Sequence, residues 1–524
     1  MYDLIIKNGT IINGTGSPSE TGNLAVTGGI VSVIGEVSDE QANLTINAEG
    51  KIVCPGFIDI HGHSDILLLA DPAASSKVMQ GVTTEVCGNC GFSEFPVYGQ
   101  TGKALNDKSE TFGITIDWKD LEGFANRVND NGCAINWCSF IGHGSLRKAY
   151  LGKENRKPNP EETLQMQYDI AKAMDQGAVG LSSGLFYIPG IFADANELST
   201  LLGPVSKATG IYSTHMRSEG DNLLEAITEA ITTAQKGHVP LQISHLKAAG
   251  TTNWHKLDDA FELIENAVGT GSDITADRYP YISSYTSLDA CLPKDWFDNG
   301  VERGYERISD VSGRNKIKEF WKTLDYELGD IILANVIQKK LKCFSGMSIK
   351  DIAKKLNKTV EACILDLIEV ETNRASAIFF TMNNVNMQKI LCHDRVMVAS
   401  DSSLRTLSGP SHRPMIHPRT YGTFPRVLSE LVRKQNVLTW EQAIYKMTGM
   451  PAKRTGLKNR GTLTTGSCAD IVVFDPACIE DKATYADPNR FPEGIHHVLV
   501  NGSFVVKDGQ ATGNRPGQFL RRGV

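Results

Sequence analysis

The fold is decided by one stretch of the chain, Gly56-Phe57-Ile58-Asp59-Ile60-His61-Gly62-His63-Ser64-Asp65. An apolar run typical of a buried strand ends here in two histidines, His61 and His63, which are one residue apart. Because side chains alternate along a strand, positions i and i+2 lie on the same face, and both imidazoles can reach one point. Neutral imidazole is a common metal ligand, so the motif predicts half of a metal site at a strand end.

The overall composition is that of a soluble globular protein. Of the 524 residues, 41% are hydrophobic and 22% are charged, and the length fits one large domain plus a smaller one. A formal net charge of −7 provides no basic surface for nucleic acid. The N-terminus lacks the pattern of a signal peptide, and no apolar run reaches the roughly 18 residues of a membrane span. We expect a cytoplasmic chain with no nucleic-acid or membrane partner, and the sequence indicates no oligomeric state.

Short strands of alternating polarity occupy both ends of the chain. Turn signals such as Asn8-Gly9 and Gly28-Gly29 separate them near the start, and the same pattern returns in 469–474 and 498–506. This arrangement predicts one small β-domain built from both termini. Its expected parts are residues 1–55 and 451–524, and the catalytic domain is expected at 56–450.

The middle of the chain alternates short apolar runs with helical stretches, which is typical of βα units and a parallel sheet. Eight runs qualify as strands, and they are 52–63, 83–90, 136–143, 178–183, 211–215, 241–245, 274–279 and 396–401. Eight parallel strands close a TIM-like (β/α)8 barrel, whose active sites lie at the carboxyl ends of the strands. A doubly wound open sheet is the alternative, but no Gly-x-Gly-x-x-Gly turn follows the first strand.

More than a hundred residues separate the seventh and eighth strands, which far exceeds an ordinary βα loop. The segment from about 283 to 348 is rich in aromatic and charged residues and contains helical patterns. We therefore expect an insertion after barrel strand 7 that lies over the barrel mouth, either as a lid or as a purely structural excursion.

The predicted strand ends carry many metal-ligating groups. They are His61, His63, Cys90, His215, His245 and Asp401. Any one of them could be an ordinary core or surface residue, but six arriving at one face of a barrel indicate a metal site. Imidazole and thiolate favour zinc, because magnesium and calcium prefer oxygen ligands. Cys87, the other cysteine of the CxxC, is expected to be a packing residue.

The motifs at these strand ends resemble those of the amidohydrolase superfamily and, within it, the N-acyl-D-amino-acid deacylases (D-aminoacylases). The matching stretches are 56–63, 88–91, 180–185, 214–217, 244–247, 400–401, 417–426 and 469–474. The likeness covers nearly the whole chain, and its most specific parts are Gly88-Asn89-Cys90-Gly91 and His417-Pro418-Arg419. The resemblance implies a (β/α)8 barrel with a small β-sandwich.

The resemblance also implies two zinc positions of unequal affinity. The tight position would use Cys90, His215 and His245, and the weaker one would use His61, His63 and Asp401, with the cysteine able to bridge. Many relatives bridge their metals with a carboxylated lysine on the fourth strand, but here that strand end is Gly180-Leu181-Ser182-Ser183-Gly184. The thiolate is expected to replace the lysine, which argues against the dihydroorotase and hydantoinase branches.

The reaction that the resemblance implies is zinc-dependent hydrolysis of an N-acyl-D-amino acid to a carboxylate and a free D-amino acid. Zinc would polarise the acyl carbonyl and activate water, and Asp401 would pass the proton of that water to the leaving amine. One alternative is another amidohydrolase acting on a dipeptide or a cyclic amide. The other is a binding protein of this fold that has lost catalysis.

Substrate recognition requires a fixed cation for the carboxylate of the substrate, and guanidinium matches a carboxylate best. The resemblance points to Arg419, with a structural salt bridge as the other interpretation. The supporting residues are expected to be Lys247, Tyr187, Tyr279 and Ser284. Asp65 and His143 are expected to hold ligand imidazoles in place. The sequence does not distinguish an acidic from an apolar substrate side chain.

Overall fold

The structure, a computed structural model, describes residues 1–37, 42–372 and 374–523. The strands are β1 (Leu4–Ile11), β2 (Glu20–Thr27), β3 (Ile30–Gly35), β4 (Thr45–Asn47), β5 (Ile52–Pro55), β6 (Phe57–Asp59), β7 (Val82–Cys87), β8 (Asn136–Ser139), β9 (Ile141–Gly142), β10 (Gly180–Gly184), β11 (Ile211–His215), β12 (Leu241–Ile243), β13 (Ile274–Arg278), β14 (Ser284–Ser287), β15 (Ile332–Asn335), β16 (Ser376–Phe379), β17 (Val396–Val398), β18 (Ile471–Phe474), β19 (Ile495–Val500), β20 (Ser503–Lys507) and β21 (Gln510–Ala511).

The α-helices are α1 (Leu67–Ala70), α2 (Ser75–Val78), α3 (Gly99–Phe112), α4 (Leu121–Asn131), α5 (His143–Tyr150), α6 (Pro160–Asp175), α7 (Ala195–Leu201), α8 (Gly203–Lys207), α9 (Leu223–Gly237), α10 (Leu257–Gly269), α11 (Val301–Ser309), α12 (Val311–Trp321), α13 (Ile349–Leu356), α14 (Val360–Glu371), α15 (Asn384–Cys392), α16 (Arg419–Arg426), α17 (Trp440–Met447) and α18 (Gly449–Thr455). A π-helical stretch, Val427–Lys434, continues α16. None of the helices in the described ranges is both long enough and apolar enough to cross a membrane.

Two parallel sheets contain the strands predicted for the middle of the chain. One has the order β17-β13-β12-β11-β10-β9 and the other has the order β6-β7-β8, and every pairing in both is parallel. Hydrogen bonds join the two sheets at both edges. The amide of Asp401 donates to the carbonyl of His61 over 2.8 Å, and the amide of Val179 donates to the carbonyl of Ser139 over 2.9 Å. The predicted α/β class with parallel strands is confirmed.

The first predicted strand, 52–63, is divided between two sheets. β5 pairs with β1 and β18 among the terminal strands, whereas β6 pairs with β7 in a parallel sheet. Gly56 separates them, and a Cβ atom at this position would lie only 2.1 Å from Thr83 Oγ1. The prediction of one continuous strand is wrong because both strands are buried, so the apolar run has no polar residue to mark the division.

The strands from both termini form one nine-stranded sheet. Its order is β21-β20-β19-β18-β5-β1-β2-β3, and β4 also pairs with β1. The antiparallel pairing of β5 with β18 joins the N-terminal strands to the C-terminal strands. The ranges proposed for this region, 1–55 and 451–524, include residues 38–41 and 524, which lie outside the described residues.

The segment between β13 and β17 has a sheet and a core of its own. β14, β16 and β15 form a three-stranded antiparallel sheet. A separate buried cluster extends from Leu288 through Ile364 to Phe379. The sequence analysis placed the insertion at about 283–348, and the buried cluster extends beyond that range to include α13, α14 and β16.

Candidate active site

The six predicted metal-ligating side chains meet at the carboxyl ends of the parallel strands. β6 leads to His61 and His63, β7 leads to Cys90, β11 ends at His215, and β12 and β17 lead to His245 and Asp401. The ligand atoms of His61, Cys90, His245 and Asp401 all lie within 4.8 Å of one another. The remaining two are adjacent, since His215 Nδ1 lies 3.8 Å from Cys90 Sγ and His63 Nε2 lies 3.1 Å from Asp401 Oδ1.

Cys90 lies among three imidazoles. Its Sγ is 3.2 Å from His61 Nε2, 3.7 Å from His245 Nε2 and 3.8 Å from His215 Nδ1. Burial by itself would raise the pKa of this thiol, but the charge of His61 and the hydrogen bonds of the three imidazoles hold the pKa well below its ordinary value. This shift favours the thiolate, which is the form of cysteine that binds metals.

Three of these residues have a left-handed backbone conformation. The φ angle is 52° at Cys90, 37° at His245 and 47° at Asp401. Residues with a Cβ atom rarely adopt such angles, and each instance costs about 1–3 kcal/mol. The rest of the fold holds these residues in a strained conformation, which is a common property of functional sites.

The fourth strand, β10, contributes a serine that holds the Cys90 loop. Ser182 Oγ accepts a hydrogen bond from the amide of Gly91 over 3.0 Å and donates to the carbonyl of Gly88. Gly88 has a φ angle of 73°, and a Cβ atom there would lie 2.2 Å from a backbone carbonyl oxygen, so glycine is required. β10 thus positions the loop that presents the thiolate.

Asp401 contacts both histidines of the opening motif and one cation. Its Oδ1 lies 3.1 Å from His63 Nε2 and 3.5 Å from His61 Nε2, and its Oδ2 lies 2.9 Å from Arg419 Nη1. Burial would raise the pKa of this carboxyl, but Arg419 and the neighbouring histidines hold the pKa well below its ordinary value. Asp401 is therefore ionised and can accept a proton.

Four of the predicted substrate-binding residues lie beside one another or beside a predicted metal ligand. The guanidinium of Arg419 lies 4.6 Å from the centre of the Tyr279 ring, and Lys247 Nζ lies 5.9 Å from it. The Tyr187 ring lies 4.8 Å from the ring of His215. Within the described ranges, the buried hydroxyl of Tyr279 has no hydrogen-bond partner.

Ser284 lies at the start of β14, where it pairs with Phe379. Its neighbour Ser283 has the closer connection to the site, because Ser283 Oγ lies 2.7 Å from His417 Nε2. His417 Nδ1 in turn accepts a hydrogen bond from the amide of Arg419 over 3.0 Å.

Asp65 and His143 have partners other than those expected. Asp65 Oδ1 accepts a hydrogen bond from the amide of Gly88 over 3.0 Å, so Asp65 supports the Cys90 loop. His143 Nε2 lies 2.9 Å from Glu197 Oε1. The expectation that these two residues hold ligand imidazoles is wrong, because motif position alone does not show which way a side chain turns.

Comparison with known proteins places this arrangement in a family. The matching family model is described as "Amidohydrolase family" and covers residues 44–183 and 410–506. A D-aminoacylase from Alcaligenes xylosoxydans xylosoxydans is 33% identical over 521 residues, which is 99% of this chain and 98% of that protein. The chain belongs to the amidohydrolase family.

Two solved amidohydrolase structures are similar over the whole length. The N-acyl-D-glutamate deacylase from Bordetella bronchiseptica, complexed with zinc and a phosphonate mimic of the tetrahedral intermediate, has a TM-score of 0.84 and 32% identity, covering 99% of each chain. A D-aminoacylase described as having a binuclear metal centre, with one-metal activation and second-metal attenuation, has a TM-score of 0.83 and 30% identity, covering 100% of each chain.

The donor set of this amidohydrolase fits zinc. Thiolate and imidazole are ligands that zinc prefers, and a carboxylate completes the group of four whose donor atoms lie within 4.8 Å of one another. That spacing allows one ion to contact several of these donors at once.

Two carboxylates that the sequence analysis did not single out lie behind the histidines of this amidohydrolase. Glu219 Oε1 lies 2.7 Å from His245 Nδ1, and Asp277 Oδ1 lies 3.1 Å from His61 Nδ1. Glu219 follows β11 and Asp277 lies near the end of β13, so their position at strand ends is the only sequence signal that could have identified them.

A buried ion cluster lies beneath the opening motif. Lys77 Nζ donates to Asp59 Oδ2 over 2.6 Å and to the carbonyl of Ser402 over 3.0 Å, and it lies 3.3 Å from Glu85 Oε2. Asp59 Oδ1 also accepts the amide of Ser400 over 2.9 Å. The cluster joins the ends of β6, β7 and β17 and so fixes the backbone that presents the metal-ligating residues.

Proposed function

We propose that this protein is a zinc-dependent deacylase that hydrolyses N-acyl-D-amino acids to a carboxylate and a free D-amino acid. The observation that carries the proposal is the convergence of a thiolate, imidazoles and the Asp401 carboxylate beside a buried guanidinium. The full-length relatives support it, because they are a D-aminoacylase and an N-acyl-D-glutamate deacylase at 30–33% identity.

The finer architecture that we propose is a closed (β/α)8 barrel with a small β-sandwich. Closure is supported by the parallel bridge between Gly62 and Ser402, which joins the first strand to the eighth. The sandwich is supported by a hydrogen bond from the amide of Val31 to the carbonyl of Ser467 over 2.8 Å. This bond joins β3, at one edge of the sheet, to the segment that precedes β18. The separately packed segment after β13 would form the cover of the barrel mouth.

Two metal positions are proposed within the site. Cys90, His215 and His245 would hold a zinc ion tightly, and His61, His63 and Asp401 would hold a second, weaker one. When bound, zinc would supply a Lewis acid that polarises the acyl carbonyl and lowers the pKa of the attacking water.

Asp401 would act as the general base and then as the general acid. Its carboxylate is ionised, which is the form that can accept the proton of the attacking water. Oδ1 lies 3.1 Å from His63 Nε2, which orients the carboxylate for this transfer. The same oxygen would then return the proton to the leaving amine.

Arg419 would bind the α-carboxylate of the substrate, with Lys247, Tyr187, Tyr279 and Ser284 in support. Arg419 is only 4% exposed, so its charge acts in a poorly hydrated environment. The hydroxyl of Tyr279, which has no hydrogen-bond partner among the described residues, offers a second donor on the ring that the guanidinium faces. A guanidinium beside a phenol can hold both oxygens of one carboxylate.

A substrate panel tests the proposal. The purified protein would be assayed with N-acetyl-D-amino acids, their L-enantiomers and hydantoins, with and without added zinc. We expect preferential hydrolysis of the D-amides and an increase with zinc up to about one ion per chain. Preferential hydrolysis of the L-substrates or of hydantoins would show that the substrate class is wrong.

The role of Asp401 is tested by Asp401→Asn. Loss of a general base typically lowers kcat by about 10²–10⁴-fold, and we expect a decrease in that range on the best D-substrate. Asp273→Asn is the control, because that carboxylate is 67% exposed and pairs with Arg454 away from the site. Near-full activity of Asp401→Asn would overturn the proton-transfer role.

A further inference from the structure

His61 and His245 are oriented in the same way. Each presents Nε2 to the thiolate, since the two Nε2 atoms lie 3.2 Å and 3.7 Å from Cys90 Sγ. Each presents Nδ1 to a carboxylate, at 3.1 Å from Asp277 Oδ1 and at 2.7 Å from Glu219 Oε1. Two histidines from different strands therefore share one arrangement, with the thiolate on one side and a carboxylate on the other.

A carboxylate can only accept a hydrogen bond, so the imidazole nitrogen that faces it must carry the proton. A neutral imidazole has one N–H, and a proton on Nδ1 leaves the lone pair of Nε2 directed at the metal position. We propose that Glu219 and Asp277 are positioning residues that select the metal-binding tautomer of His245 and His61. This inference rests on the proposed role of the two histidines as zinc ligands.

Glu219 is held in place by a second donor. Lys247 Nζ also donates to Glu219 Oε1, and it lies 2.8 Å from His245 Nδ1. In the proposed tautomer the Nδ1 proton of His245 is directed at Glu219 Oε1, so Lys247 and His245 both donate to the same carboxylate oxygen. Lys247 balances the charge of Glu219, whose side chain is only 18% exposed, and so stabilises a carboxylate in this partly buried position.

Asp277 has a wider set of contacts. Besides the His61 ring, its Oδ1 accepts the backbone amide of His245 over 2.8 Å, and its Oδ2 accepts Nε2 of Gln242 over 2.8 Å. It is 1% exposed. Asp277 therefore fixes the ring of His61 and, at the same time, the backbone of His245 at its φ angle of 37°. Glu219 contacts only a ligand of the proposed tight position, His245. Asp277 contacts a ligand of each proposed position, the ring of His61 and the backbone of His245.

Zinc affinity is the direct test for Glu219. The purified apo-protein would be titrated with zinc against a chromophoric chelator, and its thermal unfolding would be followed by circular dichroism. Glu219→Met fills a similar volume without an acceptor, and we expect it to weaken the first zinc equivalent by about 10–100-fold. Glu219→Gln keeps an acceptor oxygen and should recover most of that affinity. Should the Met variant not fold, Glu219→Ala provides the same comparison.

A matched control is Glu229→Ala, because Glu229 binds Arg217 Nε over 3.0 Å and contacts no metal-ligating histidine. We expect Glu229→Ala to bind zinc with wild-type affinity. Wild-type affinity of Glu219→Met would overturn the inference, as would an equal loss in the Met and Gln variants. His245→Ala is included because an unchanged affinity there would contradict the proposed ligand set itself, which separates the two failures.

The same titration tests Asp277. Asp277→Leu is expected to weaken the second zinc equivalent by about 10–100-fold and the first to a lesser degree, because Asp277 also holds the backbone of His245. Asp277→Asn keeps an acceptor oxygen and should fall between Leu and wild type. Asp273→Ala is the control, because Asp273 lies immediately before β13, the strand that contains Asp277. If Asp277→Leu bound the second zinc ion with wild-type affinity, the proposed role of Asp277 would be overturned.

Discussion

The thiolate half of the site (Cys90, His215 and His245) and the carboxylate half (His61, His63 and Asp401) differ in how their donor atoms are engaged. Cys90, His215 and His245 are 4%, 6% and 2% exposed, and the sulfur faces imidazole nitrogens at 3.7–3.8 Å. In the other half, His61 is fully buried and lies 3.2 Å from the same sulfur, whereas the side chains of His63 and Asp401 are 27% and 13% exposed. Asp401 is already paired with Arg419 at 2.9 Å.

This difference predicts that the two proposed metal positions differ in affinity. A cation that enters the thiolate half meets a buried thiolate with imidazole donors around it. A cation that enters the carboxylate half competes with Arg419 for Asp401 and remains closer to solvent. The tight position is therefore expected on the thiolate side, and Asp401 stays available for proton transfer.

The largest expected effect comes from removing the thiolate. Cys90→Ala should abolish the tight zinc position, and because the metal contributes several kcal/mol to transition-state stabilisation, kcat/KM should fall by roughly 10²–10⁴-fold. Metal analysis and the D-amide assay measure the two effects. Cys87→Ala is the control, since Cys87 is buried at the end of β7, just before the Cys90 loop, and its Sγ lies 3.9 Å from Glu85 Oε1. If Cys90→Ala retained one zinc and its activity, the tight position would not depend on the thiolate.

Arg419→Gln should have an intermediate effect and act on both halves. A hydrogen bond to a charged group is worth about 1.5–3 kcal/mol, so KM for an N-acyl-D-amino acid should rise by about 10–100-fold. The variant also removes the ion pair between Arg419 and Asp401, so the affinity of the second metal position should rise. KM is measured on the acid and on its carboxamide analogue, which has no carboxylate to lose. An equal change on both substrates would contradict the assignment, and Arg217→Gln serves as the control.

His63→Asn should have the smallest effect. The His63 side chain is 27% exposed, so its hydrogen bond to the ionised Asp401 is expected at the low end for a charged group, about 1.5 kcal/mol, which corresponds to about tenfold in activity at one zinc per chain. Affinity for a second metal should fall as well. Steady-state rates at controlled zinc concentrations measure both, with His412→Asn as the control. A loss as large as that of Cys90→Ala would show that the two halves are equivalent.

The sequence predicted those features that depend on local pattern. Alternating apolar runs located the parallel strands, and strand ends located His61, Cys90 and Asp401. It missed the division of 52–63, because both strands there are buried and equally apolar. It also missed Glu219 and Asp277, because an isolated carboxylate near a strand end looks like any surface acid until its partner is known.

By itself, the sequence determined the α/β class, the strand ends that bring the metal-ligating residues together, and the likeness to one family. These features follow from apolar periodicity and short motifs, which are properties of neighbouring residues. Only the tertiary structure decided which nitrogen each histidine presents, and that Arg419 pairs with Asp401. The histidine contacts join residues as far as 338 positions apart, as between His63 and Asp401, and their geometry arises only when the strands pack side by side.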